Sequence, residues 1–435
     1  MMLQDKKCPD VCILGLGYIG LPTASLLAAK GFRVRGVDVN DVLIHDLRHG
    51  KCAIYEPALD EMVKSALQSG NLTADVKPGE ADIFIICVPT PFTSGHTPDL
   101  HYVKAAVTSI APFLRNGNLV ILESTVPVGA TEKMAEILAE MRPDLRIGQN
   151  CSGNAVPVYV AHCPERVLPG RILHELVEND RVVGGIDRES TRKGAEFYRS
   201  FVSGNVQGTD SRTAEMIKLT ENSFRDVNIA FANELSLICE ELGLDVWEVV
   251  ALANRHPRVN ILRPGAGVGG HCIAVDPWFL VSSAPQTARL IRVAREVNDA
   301  KPESIIAHTL SAVAGHEHGT VACLGLAFKP DVDDLRESPA LFIAEALAGK
   351  NISLVICEPH IQCLPPSLQG KPHVQKMNLH DCLQKGDIIL ALVGHKAFAA
   401  VDPDTLAQKT VIDVCGLWRA KQATRHGHEA GGDDL

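Results

Sequence analysis

The sequence predicts an α/β chain in which two doubly wound parallel-sheet domains are joined by a central helical domain with one long helix. Three observations carry this. Apolar runs alternate with helix-like segments and glycine turns from residue 11, and the alternation resumes after residue 316. Between them lies a proline-free stretch, Ser211 to Gly243, with apolar residues at helical spacing. A length of 435 residues also exceeds what one hydrophobic core organises, since domains run to about 100–200 residues each.

Taken in order, VCILGLGYIG, LPTASLLAAKG and FRVRGVDVN form a βαβ unit. Strands follow at IFIICVP (83–89), LVILEST (119–125) and VYVAHCP (158–164), separated by helices over 101–114 and 130–141. Such alternation implies a mostly parallel sheet with helices on both faces, and assigns residues 1–210 to a first domain. From Ser211, the residues Ile217, Phe224, Val227, Phe231, Leu235, Ile238 and Leu242 fall seven, three or four apart, which makes one stripe of a long helix. That stripe fits burial between domains, across a homodimer, or in an ordinary core; the helical region spans 211–315. After HEHGT, the runs TVACLGLAF, ISLVICEP, DIILALVGH (387–395) and TVIDVCG (410–416) again alternate with helices and define a third domain over 316–420. Residues 421–435 are expected to be a disordered tail.

Composition narrows the function classes. Hydrophobic residues make up 46% and charged residues 22%, the balance of a folded soluble protein. No run approaches the ~18 apolar residues of a membrane helix, so membrane insertion is not expected. Lys6 and Lys7 before an apolar run imitate a signal peptide, but Asp5, Asp10 and three regularly spaced glycines suit a strand and turn better. Thirteen scattered cysteines, odd in number and without CxxC pairs, read as reduced thiols and a cytoplasmic location. The net charge of −10 and the lack of any Lys/Arg block argue against nucleic acid. No repeat and no metal site is expected.

Gly15-Leu16-Gly17-Tyr18-Ile19-Gly20 follows a strand and opens a helix, and Asp38 ends the next strand. In that context the G-x-G-x-x-G pattern predicts a dinucleotide turn: Gly15 for the tight bend, Gly17 for approach of a pyrophosphate, Gly20 for helix packing, and Asp38 for the ribose. The acid favours NAD over NADP, although Arg33 and Arg35 are near enough in sequence to reach a 2′-phosphate. RPGAGVGGHCIAVDPW (263–278) repeats the glycine spacing at Gly265, Gly267 and Gly270, but Arg263 and Pro264 stand where a strand is needed, and His271 and Cys272 where a P-loop needs Lys and Ser/Thr. Neither nucleotide function survives. What remains is a permissive backbone that leaves the Cys272 thiol uncovered, with Asp276 four residues on. His271 adjoins the thiol, but neighbouring side chains commonly diverge. Cys12, Cys87, Cys239 and Cys323 lie in apolar runs and read as small buried hydrophobes. Lys218 and Asn222 share a helix face with Arg225 beyond; a lysine in the apolar run Met216-Ile217-Lys218-Leu219 suits an anion or a developing oxyanion.

Taken together, GLGYIGLP (15–22), CVPTP (87–91), ESTVPVG (123–129), CPERVLPG (163–170), KLTEN (218–222), GAGVGGHCIAVD (265–276) and FKPDVDDLRESP (328–339) resemble the UDP-sugar 6-dehydrogenases of the UDP-glucose/GDP-mannose dehydrogenase family. The resemblance covers almost the whole chain. It implies oxidation of a nucleotide sugar's primary alcohol to a carboxylate with two NAD, an N-terminal Rossmann domain for NAD and a C-terminal Rossmann-like domain for the UDP-sugar. Cys272 matches the nucleophile, Lys218 and Asn222 the oxyanion-stabilising pair, Asp276 and Thr125 the residues that organise water and protons, and Glu165 the general base. The resemblance further implies NAD contacts at Gly15, Tyr18, Ile19, Gly20, Asp38, Thr90, Thr125 and Arg336. Sugar-nucleotide contacts are implied at Glu165, Arg166, Val167, Lys218, Asn222, Arg225, Gly265, Gly269 and Lys329, and at Arg258 lent by the partner of a homodimer. UDP-glucose members carry a second acid where this chain has Pro169, which points toward the branch acting on UDP-N-acetylhexosamines. A catalytically silent NAD- or nucleotide-sugar-binding regulator is the alternative from another class; the presence of every chemically assigned residue speaks against it.

Overall fold

The computed structural model describes residues 8–418 except Ala53, Tyr55, Ser94, 149–155, Pro169, His271 and 317–318. The expected tail at 421–435, the Pro169 substitution and His271 therefore lie outside the described residues. The chain divides into two compact units, Met1–Glu221 with Trp278–Pro285, and Asn222–Pro277 with Gln286–Leu435.

The first unit is built on eight strands: β1 Asp10–Leu14, β2 Arg33–Val37, β3 Leu72–Asp75, β4 Ile83–Ile86, β5 Leu119–Leu122, β6 Tyr159–His162, β7 Arg181–Gly185 and β8 Val206–Asp210. Their order is β3-β2-β1-β4-β5-β6-β7-β8, and every pairing is parallel except β6 with β7. A strand covered on both faces must be apolar at successive positions, and β1 shows how the two faces are used. Val11 and Ile13 enter one core with Leu21, Leu27 and Phe32, whereas Cys12 and Leu14 enter the other with Phe84, Val107 and Leu138. The expected strands at 83–89, 119–125 and 158–164 are shorter than their apolar runs. The ends of those runs are the loops at the carboxyl edge of the sheet, where Thr90, Thr125 and Glu165 sit.

The second unit holds a five-stranded parallel sheet: β9 Thr320–Leu324, β10 Ser353–Cys357, β11 Val374–Lys376, β12 Ile388–Ala391 and β13 Thr410–Asp413, ordered β11-β10-β9-β12-β13. Consecutive strands go first to one side of β9 and then to the other, so the carboxyl ends of β9 and β12 flank a topological switch point. In the same unit the helix Arg289–Ala314 packs on the long helix through buried polar pairs, with Arg295 to Asp226 at 2.6 Å and Asn233 to Asn298 at 2.9 Å.

The long helix, Ser211–Glu241, runs unbroken through the boundary of the two units. Its buried residues are mostly small or polar, among them Ala214, Glu215, Ser223, Ala230 and Asn233. The apolar stripe lies elsewhere: Phe224, Phe231 and Leu242 are 69%, 55% and 64% exposed. The stripe therefore does not serve an ordinary core within the chain, contrary to one of the three expectations. Periodicity reports that a face is apolar; it does not report what covers it.

Candidate active site

In the first unit, the turn after β1 has the geometry that its glycines demand. Gly15 has φ +91, and a Cβ there would stand 2.4 Å from the Cys87 carbonyl oxygen. A Cβ at Gly20 would lie 1.8 Å from the Gly15 carbonyl oxygen, so the helix Gly20–Ala29 can start this close only with glycine. Gly17 has nothing within 4 Å of its Cβ position, and it and Tyr18 are exposed, which leaves the approach to the helix N-terminus open to a pyrophosphate. Asp38 accepts from the Leu16 N–H at 2.8 Å and the Asn40 N–H at 2.9 Å, which pins the acid beside the turn. The two arginines that left the cofactor open are tied elsewhere. Arg33 is forked onto Asp10, and Arg35 bonds Asp75 at 3.1 Å. These residues fit a dinucleotide with an unphosphorylated ribose.

At the carboxyl ends of β4 to β6, the Thr90 hydroxyl donates to the Thr125 carbonyl at 2.7 Å, joining two of the expected contacts. Glu165 is buried, and both of its carboxylate oxygens are engaged. One accepts from the Arg166 N–H at 2.6 Å, the other from Arg181 at 3.1 Å. Arg166 reaches the long helix through Glu221 at 2.6 Å. Val167 packs on the core, and Glu56 accepts from the Gly170 and Ile172 N–H groups at 2.7 Å each, which fixes the far end of this loop.

Beneath the loop is a network that sequence reasoning missed. The Tyr198 hydroxyl donates to Glu123 at 2.5 Å and the Cys87 thiol donates to its other oxygen at 3.2 Å. Burial pushes the Glu123 carboxyl above its usual range, against the pull of the Arg181 guanidinium. Burial and the neighbouring Glu123 likewise push Cys87 well up, so it is an inert thiol, though a hydrogen-bonded one rather than a plain hydrophobe. Cys12 and Cys323 are raised to about 11 and about 12 by burial, as small core residues should be. The one sequence signal for this network was an arginine opening a strand, Arg181; its carboxylate partner, Glu165, lies 16 residues away.

In the second unit, the glycine loop is explained by what it packs against. A Cβ at Gly269 would meet the Glu337 carbonyl oxygen at 2.4 Å, and one at Gly270 would meet the Phe328 ring at 2.7 Å. Gly267 and Gly270 have φ +133 and +84. The Gly270 N–H donates to the Arg336 carbonyl at 3.2 Å, and the Gly265 N–H to the Asn233 side chain at 2.8 Å. The loop thus presses main chain to main chain against the segment carrying Phe328, Lys329 and Arg336. It ends at Cys272, which is exposed, and whose carbonyl accepts from the Val275 and Asp276 N–H groups at 3.0 and 2.8 Å. Asp276 is buried, and its carboxylate accepts from the Asn222 amide at 2.5 Å. Asn222, Cys272 and Asp276 are accordingly brought together, and Lys218 lies one turn before Asn222 on the long helix. Arg336 forks onto Asp334, while Arg225 and Arg258 are exposed, the latter 3.5 Å from the His256 ring.

Comparison with known proteins places this geometry in context. The NAD binding, central and UDP binding domains of the UDP-glucose/GDP-mannose dehydrogenase family match residues 9–202, 212–300 and 322–420. The chain is 52% identical over 418 residues to a UDP-N-acetyl-D-mannosamine dehydrogenase of Escherichia coli, covering 94% of this chain and 99% of that one. It is 51% identical over 419 residues to an NDP-N-acetyl-D-galactosaminuronic acid dehydrogenase of Ralstonia nicotianae, covering 96% and 98%. Among solved structures it is similar to a UDP-D-ManNAc dehydrogenase from Pyrococcus horikoshii, with TM-score 0.82, 38% identity and coverage of 94% and 96%.

Proposed function

The chain belongs to the UDP-glucose/GDP-mannose dehydrogenase family and is an NAD-dependent dehydrogenase, and from that premise we propose that it oxidises C6 of UDP-N-acetyl-D-mannosamine through both steps, giving UDP-N-acetyl-D-mannosaminuronate. The observation that carries the proposal is an exposed thiol, Cys272, on a glycine turn whose next helix begins with a buried carboxylate bonded to Asn222.

Bound NAD supplies the hydride acceptor for each of the two oxidations, held by Gly15, Tyr18, Ile19, Gly20, Asp38, Thr90, Thr125 and Arg336. The chain's own residues do the rest. Lys218 and Asn222 stabilise the C6 oxygen as charge develops on it. Once the aldehyde exists, the Cys272 sulfur adds to C6, forming a C–S bond and a thiohemiacetal; oxidation of that adduct leaves a thioester. Water then attacks the thioester carbon and one of its protons passes to Glu165; the C–S bond breaks to return the thiolate, and the carboxylic acid gives its remaining proton to solvent as the carboxylate. Asp276 and Thr125 order the water and the proton transfers. Glu165, Arg166, Val167, Arg225, Gly265, Gly269, Lys329 and a partner's Arg258 contribute to holding the sugar nucleotide.

The product serves bacterial surface polysaccharide synthesis, enterobacterial common antigen in particular, and the reaction runs in the cytoplasm. No helix of the described residues is long and apolar enough to cross a membrane. A homodimer is supported by the exposed residues Phe224, Phe231 and Ile238, which recur every seven positions on the long helix.

The test is stoichiometric. Incubation with NAD and UDP-N-acetyl-D-mannosamine should yield two NADH per uronate, and Cys272→Ala should lose at least about a thousandfold of that conversion while binding NAD as before. One NADH per sugar with free aldehyde accumulating would remove the covalent scheme. The Ralstonia relative favours a second reading, the same chemistry on UDP-N-acetylgalactosamine. UDP-N-acetylglucosamine belongs in the same comparison, and kcat/KM measured side by side on the three UDP-N-acetylhexosamines decides among them.

A further inference from the structure

The second unit repeats the dinucleotide turn of the first and then closes it. Gly15 has φ +91 and donates its N–H to the Val37 carbonyl at 2.8 Å; Gly325 has φ +93 and donates to the Cys357 carbonyl at 2.9 Å. Leu16 donates to Asp38 at 2.8 Å, and Leu326 donates to Glu358 at 2.8 Å. Glu358 therefore stands where a ribose-binding acid stands in the first unit. Unlike Asp38 it is 1% exposed, and its oxygens are consumed by the Leu326, Ala327 and His360 N–H groups and by the His395 ring at 3.1 Å. Although burial pushes its proton affinity up, the His395 ring and these N–H donors hold it below the usual carboxylate range.

His395 is fully buried. Its Nε2–H donates to the Glu358 carboxylate, which fixes the tautomer and leaves Nδ1 as an acceptor. Nδ1 accepts the Asp331 N–H at 2.9 Å. Asp331 has φ +60, the left-handed region, which aspartate adopts more readily than most residues, and its N–H in that conformation is the one His395 accepts. The Asp331 carboxylate in turn accepts the Lys396 N–H at 3.1 Å, with the Lys396 ammonium 3.4 Å away. The segment from Leu326 to Asp331 is thus tied at its start to Glu358, just after β10, and at its finish to His395 and Lys396, in the loop and helix start that follow β12. Phe328, which Gly270 packs against, and Lys329 lie between the two ties.

Asp331, His360 and His395 also offer donor atoms within 4.8 Å of one another, a spacing that a metal ion could use. Here the Nδ1 lone pair is already taken by an N–H, and the Lys396 ammonium already stands beside the Asp331 carboxylate as its cation. The trio is organised to hold a loop.

We propose that His395, linked to Glu358, is a positioning residue for the nucleotide sugar: it sets the Phe328 and Lys329 segment in its binding shape by accepting the Asp331 N–H. This rests on the reading that the C-terminal domain takes the UDP moiety. The test uses the full chain, with NADH formation measured against UDP-N-acetylhexosamine at saturating NAD, and UDP binding measured by calorimetry. His395→Gln keeps a donor toward Glu358 and loses the acceptor for Asp331. His395→Asn places an amide oxygen near the Nδ1 position and loses the Glu358 link. Loss of one such hydrogen bond corresponds to about tenfold in affinity. His395→Gln should therefore raise the sugar KM and the UDP Kd about tenfold, with kcat and the NAD KM within about twofold of the parent, and His395→Asn should recover most of the loss. An unchanged sugar KM and UDP Kd in His395→Gln overturns the proposal. So does a parallel loss of kcat, NAD affinity and thermal stability, which marks a merely structural role. If His395→Gln does not fold, Glu358→Gln, whose amide oxygen still accepts from Leu326 and Ala327, is read by the same criteria. A parent protein that neither binds UDP nor turns over any UDP-sugar sinks the underlying reading instead.

Discussion

Substituting Gly270 by alanine asks whether the glycines before Cys272 are there for a ligand or for packing. The added Cβ meets the Phe328 ring at 2.7 Å, and the backbone sits at φ +84. The left-handed backbone costs roughly 1–2 kcal/mol for a residue with a side chain, and forcing a methyl group into a filled site costs roughly 1–3 kcal/mol more. A total of about 2–5 kcal/mol at about 2–4 °C per kcal/mol lowers the melting temperature of the second unit by roughly 4–20 °C. Gly265 is the internal control, because nothing lies within 4 Å of its Cβ position and its φ is not positive. Gly265→Ala should change stability by no more than about 0.5 kcal/mol, and any defect should appear in the sugar KM. The assay is calorimetric melting of both variants beside NADH turnover. If Gly270→Ala melts with the parent, or if Gly265→Ala is destabilised as much, the packing account of the loop is wrong.

Three further outcomes are expected. Asn222→Ala removes the 2.5 Å hydrogen bond to the buried Asp276 carboxylate and should lower unfolding stability by about 1–3 kcal/mol in a urea titration, while the NAD KM stays unchanged. His162 is buried so that its proton affinity falls from 6.5 to about 3, whereas the unfolded chain protonates it normally. The unfolded state then binds more protons between those values, so stability present above about pH 6.5 is lost on acidification, at about 1.4 kcal/mol per pH unit; His162→Leu should flatten that dependence in denaturant midpoints taken from pH 7 to pH 5. Phe231→Asp places a charge in the exposed stripe of the long helix and should halve the mass seen by sedimentation equilibrium, with an unchanged mass removing the helix from the dimer interface.

Local context made the fold legible. Every strand that the sequence marked by a continuous apolar run exists, because a strand sandwiched between helix layers must be apolar at consecutive positions. The strands it did not mark are of another kind. Leu72–Asp75 and Val374–Lys376 are short edges, and Val206–Asp210 alternates too little to register. The antiparallel pairing of Tyr159–His162 with Arg181–Gly185 depends on a connection whose direction no composition encodes. The catalytic candidates were legible where chemistry and contiguity coincide, as with Cys272 and Asp276, which one turn joins. The supporting network was not. Glu123 meets Tyr198 across 75 positions and Glu358 meets His395 across 37, and taken alone Glu123, Glu358 and His395 look like ordinary polar residues after a strand, and Tyr198 like an ordinary helix residue.

The two glycine-rich segments show what a spacing pattern can and cannot carry. Glycine at three fixed positions says that something approaches the backbone closely; it does not say whether that is a phosphate or a phenyl ring. Gly17 faces open space beside a helix N-terminus, whereas Gly269 and Gly270 face the Glu337 carbonyl and Phe328. The flanking sequence separated them, since only the first is preceded by a strand and followed by a helix. The same criterion exposes the closed turn at Gly325, which has the strand and the acid but no helix until Pro339. Without N–H groups aimed outward from a helix start, that turn cannot cradle a pyrophosphate in the way the first one does, and its acid was free to become the anchor of a loop.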